Sequence, residues 1–281
     1  LKPFGVSGLG ATTFNATDCE VTVASVEVIC ISGPGIGVNQ SWKLKIAGVT
    51  SKQYGRPWSL DKTDYHQPVI DSFSINSRNP GFSTRGGELV NISGKNFGPI
   101  SDINVISASY FNAQGDRRYL SGHLYATICS VIIDHTLMSC KSAVGVGSQH
   151  RWSVNVGGQE GPFSTNSTRY KEPSISKLLI SNDIKNSIRT IGGPTIIFRG
   201  EDFGPVDSAG SPHNDVYGIA KNEALFGLPR RGIISNCNVT VNHTEMVCVV
   251  AAGVGYNLKW SVSVGIQESI PWQYNTTSYC R

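Results

Sequence analysis

The sequence is poor in charge: 16% of its 281 residues are Asp, Glu, Lys or Arg, against the usual quarter. The net charge of +4 comes from 24 basic and 20 acidic residues spread along the chain. The arginine pairs Arg117-Arg118 and Arg230-Arg231 stand alone, so no basic block offers a nucleic-acid or anionic-membrane patch. The longest apolar stretch, around Val247 to Val254, falls far short of the roughly 20 residues that span a bilayer. No signal-peptide pattern stands at Leu1, so the chain is expected to be either cytosolic or already processed. Amphipathic stretches of helical period are missing too; only 217–226 invites a short helical turn.

Motifs of chemistry are equally scarce. No nucleophile elbow, His-Glu-x-x-His helix, Walker loop or calcium loop occurs. Gly33-Pro34-Gly35-Ile36-Gly37 resembles a phosphate loop, but Gly-x-Gly recurs before strands rather than helices and reads as a tight turn. The acidic pair Glu201-Asp202 reads as solvated, and His135 and His243 as turn residues, with a partner contact by one of them as the alternative. No residue set outlines an active site, so no enzyme activity, cofactor or metal is expected.

What the chain does have is a repeat. Cys19 and Cys30, Cys129 and Cys140, and Cys237 and Cys248 are each 11 apart. After each second Cys follow Gly35, Gly37 and Trp42; then Gly145, Gly147 and Trp152; then Gly253, Gly255 and Trp260. The period is 110 and then 108 residues, which makes repetition the first fact to interpret. The upstream half occurs only twice, as Thr84-Arg85-Gly86-Gly87 to Asn96-Phe97-Gly98-Pro99 and as Thr190-Ile191-Gly192-Gly193 to Asp202-Phe203-Gly204-Pro205. Boundaries near 67/68 and 172/173 divide the chain into a partial repeat, 1–67, and two fuller ones, 68–172 and 173–281.

Each Trp opens a strict alternation: Trp42, Leu44, Ile46; Trp152, Val154, Val156; Trp260, Val262, Val264. Period two with β-branched residues predicts strands with one buried face, and each Trp is expected in a core. Strand, turn and strand fill each Cys interval, with Cys237, Val239 and Val241 expected on one face. Short strands with frequent Gly and Pro turns predict an all-β chain of immunoglobulin-like sandwiches.

A Cys pair across such a hairpin suits a disulfide, worth about 3 kcal/mol by loop entropy. Zinc or free thiols are the competing reading, but no His stands at a zinc spacing. Disulfides place the chain outside the cytoplasm. Seven Asn-X-Ser/Thr sequons agree: Asn15, Asn39, Asn91, Asn166, Asn238, Asn242 and Asn275. Asn91 and Asn238 alternate with inward residues and are expected to face solvent; Asn39, beside a Gly-rich turn, is the weakest candidate.

The run Gly-Gly-x-x-Val-x-Ile-x-Gly-x-Asn-Phe-Gly-Pro at 86–99, with its copy at 192–205, resembles the opening of IPT/TIG domains. The resemblance covers the second and third repeats and the latter half of the first. It implies an immunoglobulin-like fold and a scaffolding or adhesion role, without catalysis.

The chain holds about 2.6 repeats of about 107 residues, and the odd cysteine, Cys280, lies at its end. Three explanations compete for the incomplete first repeat: a fragment of a longer array, a remodelled N-terminus, or contacts supplied by another chain. The leading expectation is an extracellular, N-glycosylated structural rod that joins copies of itself head to tail into a surface filament or matrix fibril, with Cys280 at the junction. The alternative is a monomeric receptor or adhesin ectodomain that binds a surface protein or glycan. Neither nucleic acid nor direct membrane insertion is expected.

Overall fold

The computed structural model describes residues 4–6, 13–52, 59–75, 81–100, 106–112, 124–180, 187–206, 216–221, 233–274 and 276–279. Every regular element among them is a β-strand, and nearly all pairings are antiparallel. No helix among them is long and apolar enough to cross a membrane.

The second repeat shows the plan most fully. One sheet runs Thr127–Ile133, Leu137–Lys141, Leu89–Lys95, Val69–Ile75. The other runs Leu124–Tyr125, Ile106–Asn112, His150–Val156, Gln159–Glu160. Their inner faces share one core: Val90, Ile92 and Met138 from the first, Tyr110, Trp152 and Val154 from the second, all buried. Two sheets burying each other's apolar face make an immunoglobulin-like sandwich.

In the third repeat the long strand Ile233–Val241 serves both layers. It pairs with Val216–Lys221 over its first part and with Glu245–Val249 over the rest, joining seven strands into one curled sheet. Val216–Lys221 is paired on both sides, so the helical turn expected over 217–226 is corrected to a strand as far as Lys221. Residues 222–226 lie outside the described residues. A register shift between Val239 and Val241 turns Val241 outward, while Cys237 and Val239 stay buried. That irregularity breaks the expected three-residue face.

The Gly-x-Asn/Asp-Phe-Gly motif has a steric origin. A Cβ on Gly94 would lie 2.0 Å from the Val69 carbonyl oxygen, and one on Gly200 would lie 1.8 Å from that of Ser174. Glycine lets the neighbouring backbone cross there. Asn96 and Asp202 then adopt φ of 63° and 61°, a region these side chains tolerate, and swing Phe97 and Phe203 into full burial.

The first repeat holds Thr13–Asn15, Phe4–Val6, Gln40–Lys43 and Lys62–Thr63 in one sheet, with Thr17–Val23 and Glu27–Ile31 as a separate hairpin. Among the described residues nothing pairs with the far edge of Glu27–Ile31, where Leu89–Lys95 and Thr195–Glu201 pair in the later repeats. Trp42 is therefore only half-buried, whereas Trp152 and Trp260 are inaccessible. The uncovered face forms an open cleft of about 420 Å³, lined by Ala16, Val28, Cys30, Trp42 and Leu44. The expectation that every Trp is a core residue fails for Trp42, which lines this cleft.

Candidate functional site

Each repeat closes on a Thr-x-Tyr signature, of which the sequence pattern marks the boundary tyrosines Tyr65, Tyr170 and Tyr279 but not the threonines. The Trp42, Trp152 and Trp260 indoles donate to the hydroxyls of Thr63, Thr168 and Thr277 at 2.8, 2.8 and 2.9 Å. Two residues on, Tyr65, Tyr170 and Tyr279 donate their hydroxyls to the carbonyls of Gly33, Ala143 and Ala251 at 2.8, 2.9 and 2.7 Å. These bonds tie the end of each repeat to the loop after its second Cys. Burial pushes all three phenols above their ordinary pKa, so they stay protonated donors.

That loop is the Gly-x-Gly segment, and its middle residue reaches into the next repeat. Ile36 is buried within the cluster that contains Trp152, and Val146 packs against the cluster that contains Trp260. Opposite each stands a turn with no room for a side chain. A Cβ on Gly157 would be 3.0 Å from the Gly37 nitrogen; one on Gly265 would be 2.8 Å from the Gly147 Cα. Two residues further, Gln159 donates to the Tyr65 carbonyl at 2.8 Å and Gln267 donates to the Tyr170 carbonyl at 3.0 Å. The chain thus makes one junction twice, with equivalent residues in equivalent roles.

The knob is also held from behind. His150 Nε2 lies 3.1 Å from the Val146 carbonyl, and Gln40 Nε2 donates to the Ile36 carbonyl at 3.3 Å. His150 Nδ1 is buried without a hydrogen-bond partner, and burial holds its pKa down at about 4, opposed by the Val146 and Gly147 backbone. Leu258, which carries no donor, takes this place in the third repeat.

The second junction has a further contact. Thr84 is buried; its N–H donates to Asp202 Oδ1 at 3.2 Å, and its hydroxyl lies 3.2 Å from the same oxygen and 2.8 Å from His243 Nδ1. Arg85 pairs with Glu201 at 3.0 Å on the exposed rim, where such pairs contribute little. Burial, then the Arg85 guanidinium, hold the His243 pKa below its ordinary value, against the pull of Asp202 and Glu201. Glu201 is solvated as expected, whereas Asp202 is corrected to a junction element: the left-handed turn there aims its carboxylate at the preceding repeat. His243 occupies the expected turn with φ of 66° and touches Thr84. Its counterpart His135 has φ of 61° and is half-buried.

Cys19–Cys30, Cys129–Cys140 and Cys237–Cys248 are disulfide-bonded across their hairpins. Asn15, Asn39, Asn166, Asn238 and Asn242 are exposed, and Asn91 is partly so. Asn275, Cys280, Arg117-Arg118 and Arg230-Arg231 lie outside the described residues. Among the described residues no three metal-ligating side chains come together.

No protein family matches the chain, and no curated protein does. Solved structures give distant likenesses. The plexin A4 extracellular region is 13% identical over 98% of this chain, with a TM-score of 0.29. The Escherichia coli adhesin FdeC is 12% identical over 90% of this chain and 76% of its own, with a TM-score of 0.30. Invasin, a bacterial integrin-binding protein, is 12% identical over 99% of this chain and 52% of its own, with a TM-score of 0.25. The chain spans about a fifth of the plexin A4 region. Likenesses at this level carry no argument about role, and the fold rests on the sheets themselves.

Proposed function

We propose that the protein is an extracellular structural glycoprotein: a rod of IPT/TIG-like repeats, 1–67, 68–172 and 173–281, that assembles head to tail into a surface filament or matrix fibril. The observation that carries this reading is the junction made twice within the chain, because the same heterologous contact, repeated between copies, extends without closing. Three disulfides fit an oxidising compartment, and exposed sequons fit a rod coated with N-glycans. Cys280 is assigned to an interchain bond at the subunit junction. The role is mechanical, and no catalytic step is assigned.

The cleft beside Trp42 favours a second reading, a monomeric receptor or adhesin ectodomain whose apolar groove takes a partner segment. Sedimentation velocity across a concentration series separates the two. Growth to long polymers supports the filament, and a single monomer boundary throughout supports the receptor. Mass spectrometry after glycosidase treatment tests the coat: Asn15 and Asn238 are expected to be modified, and bare asparagine at both contradicts it.

A further inference from the structure

The two internal junctions use one face of the preceding repeat and one face of the following repeat, and the counterparts of those residues in the third and first repeats are exposed. On the preceding side, Ile36 is buried and Val146 half-buried, while their counterpart Val254 is 76% exposed. Thr84 is buried against Asp202 and His243, while its counterpart Thr190 is exposed and the adjacent Ile191 is 77% exposed. On the following side, Gln267 is buried and Gln159 half-buried, while their counterpart Val49 is 74% exposed. The hairpin tip that carries His243 in the third repeat carries Ser25 in the first, at φ of 63°, next to Val26, which is 81% exposed.

At three positions of these faces a polar side chain gives way to an apolar one. Arg85 becomes Ile191 on one face; Gln159 and Gln267 become Val49, and Thr136 and Thr244 become Val26, on the other. Inside the chain the linker already holds neighbouring repeats together, so one apolar residue with polar contacts around it sets their angle. Between separate molecules the contact must also overcome the lost freedom of two bodies, and burial of apolar surface is the term that does so. Large apolar side chains clustered on an exposed face mark an interaction surface.

We propose that Ile191 and Val254, at the C-terminal face of one copy, dock against Val26 and Val49, at the N-terminal face of a second copy, in the arrangement of the internal junctions. This rests on the head-to-tail reading above and names its contact. One residue modifies the geometry. Ala47 stands where Gly157 and Gly265 admit no Cβ, so the faces of two copies sit slightly further apart than tethered repeats do.

The test is cross-linking in a Cys280→Ser background. The counterpart of Ala47, Gly265, would place a Cβ 3.1 Å from a Val146 methyl, so Ala47→Cys with Val254→Cys brings the two thiols together only across copies. The double variant is expected to form a ladder on a non-reducing gel that collapses with reductant, while each single variant gives none. Sedimentation of Val254→Asp and Val26→Asp supplies the second readout: both are expected to remain monomeric with unchanged melting temperature, since both side chains already face solvent. If the wild-type chain polymerises and these variants polymerise equally, or the double variant gives no ladder, the contact is wrong while head-to-tail assembly survives. A wild-type chain that stays monomeric overturns the assembly itself and this contact with it.

Discussion

The imidazole of His150 faces the carbonyl of Val146, Nε2 to oxygen at 3.1 Å, from inside a ring cage made with Tyr110 and Tyr170. This bond ties the core of the second repeat to the residue that enters the third. The neutral tautomer with the proton on Nε2 satisfies it, and a second proton on Nδ1 would find no acceptor.

Acid sensitivity follows. The folded-state pKa of His150, about 4, lies below the ordinary 6.5. The neutral form is therefore the one the fold favours. The stability it contributes is complete above pH 6.5 and falls away as the pH drops toward 4. A shift of this size corresponds to about 3 kcal/mol. Denaturant unfolding between pH 7 and pH 4 should show that decline. His150→Gln, which installs the residue that Gln40 provides at this place in the first repeat, should flatten it. An equally steep decline in the variant contradicts the assignment.

The junction between the second and third repeats should be breakable without touching either core. Thr84→Val leaves the Asp202 carboxylate and His243 without their hydroxyl partner, at a cost of about 1–3 kcal/mol. Gly265→Val drives a side chain into the Gly147 backbone. Calorimetry is expected to show one transition splitting into two, with proteolysis appearing around 171–173. A single unshifted transition in both variants would mean that the repeats are not mechanically coupled through these residues.

The three tryptophans, alike in sequence, should differ in energy. Trp152→Ala and Trp260→Ala each remove an inaccessible indole and its bond to a threonine, and should destabilise by about 3–5 kcal/mol. Trp42→Ala should cost distinctly less, because the indole is already half in solvent. Equal costs, measured by urea unfolding, would show that Trp42 is covered in solution.

Reduction should act on all three hairpins. Replacing Cys129 and Cys140 together by Ala is expected to cost about 3 kcal/mol through the 11-residue loop it opens. A urea midpoint that does not move would show that the clamp is dispensable.

The features legible in the sequence were those written over short distances. The Cys spacing and the alternation from each Trp specify hairpins and strands locally, and the repeated Phe-Gly motif marks a buried turn. The junctions were not legible, because Gln159 and Tyr65 stand 94 residues apart and Thr84 and His243 stand 159 apart. Their traces were recurrences, Gly-x-Gly and the motif that opens at Thr84 and includes Asp202 in its copy, which read as turn geometry alone. Trp42 shows a different limit: its alternation reads like that of its counterparts, yet its strand stops at Lys43 where theirs run on to Val156 and Val264, because pairing partners and not local pattern set a strand's length. The strand Val216–Lys221 was missed because its identity comes from pairing on both sides rather than from its own pattern.

Negative-stain microscopy of the purified, glycosylated protein at high concentration tests the central claim most directly. Head-to-tail docking predicts unbranched filaments that shorten to single rods in Val254→Asp. Isolated rods of the wild-type chain under the same conditions would contradict it.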